Sequence, residues 1–152
     1  MTLRRKKVQK VLEIREQKLN EKAGALAQAH EGRNVAATQA EDAAQQLADA
    51  ADYRNTLIAQ PLTVSSWIDA EQWLAHRNSQ NARAQTDLQR AEVSLVHAHE
   101  NVMHARSDVK RMELLDKRLA QGESRKQSRS EQSSNDEHAR RAFFGARRGE
   151  CG

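Results

Sequence analysis

Leu88-Gln-Arg-Ala91-Glu-Val-Ser-Leu95-Val-His-Ala98-His-Glu-Asn-Val102-Met-His-Ala105-Arg-Ser-Asp-Val109-Lys-Arg-Met112 is the stretch that decides the fold. Apolar residues return in it at alternating steps of three and four, so two seven-residue series interleave. That pattern draws one narrow apolar stripe along an α-helix and calls for a partner helix. Followed outward, the first series reads Trp67, Leu74, Asn81, Leu88, Leu95, Val102, Val109 and Asp116. The second reads Ala70, Arg77, Ala84, Ala91, Ala98, Ala105, Met112 and Leu119. At 1.5 Å per residue, Trp67 to Leu119 makes a helix of roughly 80 Å.

Upstream, a single interruption stands at Ala59-Gln-Pro-Leu-Thr-Val-Ser-Ser66. Pro61 cannot continue a helix, and it pushes Gln60 out of helical backbone geometry. Ser65 or Ser66 offers an N-cap, with Asp69 and Glu71 placed to favour the positive end of the helix dipole. Before the break a second pair of series appears: Leu12, Leu19, Leu26, Arg33, Ala40, Leu47 and Arg54, with Val8, Arg15, Lys22, Ala29, Ala36, Ala43, Ala50 and Leu57. Gly24 and Gly32 each cost about 1 kcal/mol against Ala in a helix interior, which predicts local looseness there.

Folding about Pro61 to Thr63 pairs residues whose numbers total about 124, and a positions then meet d positions as antiparallel packing requires. Leu57 faces Trp67, Ala36 faces Leu88, Ala29 faces Leu95, Leu26 faces Ala98, Leu19 faces Ala105 and Leu12 faces Met112. Large opposes small at most layers, which lets the helices approach closely. The expectation is an all-α chain, two long helices in an antiparallel coiled-coil hairpin. Its first helix runs over about 3–58, its turn over about 59–65 and its second helix over about 66–126. The seam is carried by Leu12, Leu19, Leu26, Leu47, Leu57, Leu74, Leu88, Leu95, Val102, Val109 and Met112. Residues 127–152 read as a polar, basic extension, partly disordered, because Gln127-Ser-Arg-Ser-Glu-Gln-Ser-Ser-Asn135 carries no apolar period.

Composition excludes the other fold classes. Aromatic residues make up 3% of the chain and charged residues 30%, too little bulk to fill a two-layer globular core. The basic start Met1-Thr-Leu-Arg-Arg-Lys-Lys7 is followed by charged residues, not by the apolar stretch of a signal peptide. No apolar run reaches the length of a membrane span, and the reading is cytoplasmic. The lone Cys151 has no internal disulfide partner and is read as lying on a frayed tail.

Charge is segregated. Residues 1–22 hold eight basic and three acidic side chains, residues 23–109 six and eleven, and residues 110–152 eleven and seven. A hairpin therefore brings two basic ends together and leaves an acidic middle.

No phosphate loop, nucleophile elbow, paired cysteines or zinc-binding His-Glu motif is present, so no catalytic residue and no cofactor are expected. His97, Glu100 and His104 share one helical face, but the heptad frame turns it outward without further ligands, and it reads as solvated. The candidate sites are partner surfaces. Arg4, Arg5, Lys6 and Lys7, together with Arg140 and Arg141, form the basic end. Phe143 and Phe144 are either a partly buried helix end or an anchor for a partner's pocket. Tyr53, Trp67 and Trp73 crowd the turn, where they either plug it or form a second contact site. Basic patches alone bind nucleic acid weakly, and the aromatic platforms of RNA-binding modules are missing.

Val8-Gln-Lys-Val-Leu-Glu-Ile-Arg-Glu16 resembles the opening helix of the type III secretion stalk proteins, the YscO-type injectisome proteins and flagellar FliJ. Tyr53-Arg and Asp69-Ala-Glu-Gln-Trp73 look like the turn region of the YscO branch. Arg129-x-Glu131 and Asp136-Glu-x-Ala-Arg140 resemble the family's charged C-terminal end, although the Ser-rich stretch departs from it. The resemblance implies a non-enzymatic stalk that binds the hexameric secretion ATPase, contacts the export gate and takes part in handling secretion chaperones. It implies a position at the cytoplasmic face of a membrane-bound apparatus, with the basic termini toward the ATPase ring. A general coiled-coil scaffold or adaptor, and a basic RNA- or ribosome-associated protein, are the competing readings.

Overall fold

The computed structural model describes residues 1–61 and 63–149, with side chains as far as Phe144. Two helices make up the fold, α1 over Leu3–Ile58 and α2 over Val64–Gly149, packed antiparallel as a hairpin. No strand occurs among the described residues.

Each helix starts where a threonine side chain can take up orphan backbone donors. Thr2 caps α1, its hydroxyl accepting from the Arg5 N–H at 3.4 Å. Thr63 caps α2, its hydroxyl accepting from the Ser66 N–H at 3.3 Å while the Trp67 N–H reaches the Thr63 carbonyl at 3.3 Å. This corrects the expected cap at Ser65 or Ser66 and moves the start of the second helix to Val64. The reason is local: two residues past Pro61 the backbone is already free to turn helical, and a threonine stands there.

The chain divides into two compact units, Leu19–Ala105 and the paired segments Met1–Lys18 with Arg106–Gly152. In the first, which contains the turn, α1 and α2 pack through alanines: Ala36, Ala40, Ala50 and Ala70 are buried, with Ala50 at 0% exposure. In the second, Val8 of α1 and Val109 of α2 are buried. Every residue of the Trp67 and Ala70 series is at least half-buried, and on α1 only Lys22 of the two series is exposed. Leu12, Leu19, Leu26, Leu47, Leu57, Leu74, Leu88 and Leu95 are half-buried, as is Met112, while Val102 is buried. Two helices cover one side of each other, so a long side chain always keeps an edge in water while an alanine between the backbones does not.

Cross-helix contacts set the register. Arg33–Glu92, Arg54–Glu71, Arg77–Gln46 and Tyr53–Trp73 in the turn unit, and Arg15–Asp108 and Thr2–Glu123 in the terminal unit, all pair numbers within four of 124.

Gly24 and Gly32 lie inside an unbroken α1. A further expectation differs from the structure: the second helix does not end near residue 126 but continues to Gly149. Past Glu123 every described side chain is exposed, so no seam holds this segment. It is supported by its own surface, where Gln127 donates to Glu131 at 3.0 Å and Arg141 pairs with Glu137 at 2.7 Å. Cys151 lies outside the described residues.

Candidate functional site

The terminal unit is built around a knot of polar contacts. The backbone N–H and hydroxyl of Thr2 both donate to Glu123. Arg5 reaches Asp116 at 3.0 Å and Glu123 at 3.5 Å. The two Thr2 bonds, the hydroxyl's first, hold the Glu123 carboxyl below the usual carboxylate range; Asp116 raises the Arg5 guanidinium further. Of the four basic residues expected to meet a partner, Arg5 is therefore engaged within the chain, its side chain 26% exposed. Arg4, Lys6 and Lys7 are exposed, as are Arg140 and Arg141 on the α2 overhang. Phe143 and Phe144 stack edge to face at 5.9 Å and are 62% and 63% exposed, so they are not a buried helix end.

The turn unit gathers its aromatics. Tyr53 and Trp73 meet edge to face at 5.6 Å across the two helices. Arg54 lies over the Trp67 ring at 5.4 Å and Arg77 over Trp73 at 5.8 Å. Trp67 is half-buried and plugs the seam, whereas Tyr53 and Trp73 are 52% and 38% exposed. Ile58, Val64 and Ile68 add exposed apolar surface beside them.

With this geometry in place, the family profile described as "Flagellar FliJ protein" matches residues 5–148. The chain belongs to the FliJ family. No match was found among curated proteins or among solved structures. FliJ-family proteins are non-enzymatic components of the type III and flagellar export apparatus, associated with its ATPase and export gate.

In this FliJ-family chain His97 pairs with Glu100 at 3.5 Å and both are exposed. Among the described residues no group of three His, Cys, Asp or Glu side chains is placed to hold a metal, and no helix is long and apolar enough to cross a membrane.

Sequence reasoning missed the arginines of the first seam. Arg5, Arg15, Arg33 and Arg54 occupy seam positions on α1, where they look like defects. Each reaches a carboxylate of α2: Asp116, Asp108, Glu92 at 3.8 Å and Glu71 at 2.8 Å. The signal was available, because the derived register sets a carboxylate within a turn of each one.

Proposed function

We propose that this chain is a stalk or adaptor of a type III export apparatus, acting in the cytoplasm by binding the hexameric export ATPase with its terminal unit and the export gate with another surface. Family membership over residues 5–148 carries this reading. The charge supports the orientation: the terminal unit holds nineteen basic and ten acidic residues, the turn unit six and eleven. Arg4, Lys6, Lys7, Arg140 and Arg141 are the exposed cations offered to the ring, with Phe143 and Phe144 as apolar anchors. Tyr53, Trp67 and Trp73 mark the second contact surface, for the gate or for a secretion chaperone. The injectisome branch is favoured by Tyr53-Arg and Asp69-Ala-Glu-Gln-Trp73, and complementation of injectisome and flagellar deletion strains separates the two branches.

The test must spare Arg5, whose reversal would break the knot with Asp116 and Glu123. Arg4→Glu with Lys6→Glu and Lys7→Glu should abolish co-purification with the cognate ATPase while helicity holds. Asp49→Lys with Asp52→Lys, in the turn unit, should spare it. Wild-type binding should weaken with salt, because exposed charges are screened over about 8 Å at physiological ionic strength. Loss in the turn variant with retention in the terminal one would reverse the orientation.

A further inference from the structure

Within the terminal unit the two flanks of the helix pair are chemically different. Let the Leu12 and Trp67 series be position a, and the Ala29 and Ala70 series position d. Positions g and c then lie on one flank, e and b on the other. In the turn unit, Tyr53 and Trp73 are both g residues and meet ring to ring, which fixes that the g positions of α1 and α2 adjoin. In the terminal unit itself Arg15 at d pairs with Asp108 at g, which sets the g positions of both helices on one side there and places Val11 and Leu115 on the same flank.

On that flank α1 presents Lys7, Val11, Ile14 and Lys18 at successive steps of four, three and four. α2 presents Arg111, Leu115 and Arg118 in the same rhythm. All seven are exposed, Ile14 at 51%, Val11 at 39% and Leu115 at 37%. Where α1 faces α2, over residues 3–18 and 106–123, the g and c positions carry five basic residues and a single acidic one, Asp108. Asp108 is engaged by Arg15 and, at 3.8 Å, by Arg111. Over the same residues the e and b flank carries four basic and three acidic residues and no large apolar side chain.

We infer that the g and c flank of the terminal unit is a binding face for an anionic membrane surface. Exposed apolar side chains set among lysines and arginines, with the one carboxylate of the paired stretch already engaged, suit the boundary of an anionic bilayer. There the apolar tips enter the interface and the cations meet phosphate. The one-sidedness selects this occupant. A partner that enclosed the helix pair would meet both flanks and gain from cations on both. A planar anionic surface meets one and leaves the other neutral. This use goes beyond the ATPase reading and competes with it, since the same end cannot lie on lipid and stand inside a ring together.

Flotation of the full chain with vesicles tests the face without any ATPase. Wild-type chain should float with phosphatidylcholine vesicles that contain phosphatidylglycerol and not with phosphatidylcholine alone. Lys7→Gln with Arg111→Gln and Arg118→Gln should lower the partition on the order of a hundredfold, about fivefold per charge. Lys6→Gln with Lys110→Gln and Lys117→Gln removes the same charge from the other flank and should lower it less than about tenfold. Val11→Ser with Ile14→Ser should also release the chain, with circular dichroism confirming intact helicity for every variant. Equal losses from the two charge variants would overturn the assignment of a face. Sensitivity to charge but not to the serine pair would overturn lipid in favour of a soluble acidic partner. No flotation of the wild type would overturn the proposal outright.

Discussion

Ala50 is the most deeply covered of the described residues, and its layer offers a quantitative test of the packing. The contacts Gln46–Arg77 and Arg54–Glu71 bracket it, which sets Ala50 against Leu74. Ala50→Leu adds bulk where exposure is 0% and should cost about 1–3 kcal/mol by forcing the helices apart. Leu74→Ala removes three carbons from a half-buried side chain, so it should cost about 1–2 kcal/mol, below the range of a fully buried leucine. Independent sites would add to about 2–5 kcal/mol. If the two side chains face each other, the double variant only exchanges large for small across the layer. It should then cost less than about 1.5 kcal/mol, a coupling of at least about 0.5 kcal/mol. Urea unfolding followed by circular dichroism measures all three, with Ala48→Leu on the exposed face as a control within about 0.5 kcal/mol of wild type. Additive single costs would refute the layer, and with it the register.

Two further outcomes follow from the polar groups of the pair. Asn81 occupies a seam position, and its Oδ1 is buried with no hydrogen-bond partner among the described residues; Asn81→Leu should therefore raise stability by about 1–2 kcal/mol, read as a shift in urea midpoint. Glu123 titrates below the usual range because of Thr2, so its stabilisation is complete above the unfolded carboxylate pKa of about 4.3 and is lost as pH falls through the lower folded value. Melting curves of wild type and Glu123→Gln should differ at neutral pH and converge on strong acidification; a constant gap would deny the linkage.

The helix pair was legible because α2 repeats its apolar residues over most of its length, and the turn because Pro61 admits no continuation. The cap at Thr63 escaped because Ser65 and Ser66 are equally good capping types, and only the backbone decides which residue stands at the boundary. The helix beyond residue 126 escaped for a different reason. An apolar period reports what a helix packs against, and the segment from Ser124 to Phe144 packs against nothing, so it leaves no periodic trace. The α1 arginines were visible as residues but not as partners, because a helix read alone shows only an interrupted stripe. Their meaning lies in the antiparallel register, a property of both helices at once. The two chemically distinct flanks of the terminal unit were hidden for the same cause: Lys7-Val11-Ile14-Lys18 and Arg111-Leu115-Arg118 are separated by most of the chain.

A seam of alanines brings two backbones close but gives them little to grip. Small side chains make shallow knobs, and one alanine layer slides over the next with almost the same fit. A slip by one heptad moves a helix about 10.5 Å along its neighbour and would leave most apolar layers satisfied. It would carry Arg5, Arg15, Arg33 and Arg54 away from their carboxylates together. The arginines thus serve as detents on an otherwise smooth track: they add little to how strongly the helices adhere, but they set where the helices stop. Resistance to shear is a different quantity from depth of burial, and here it is held in four guanidinium groups.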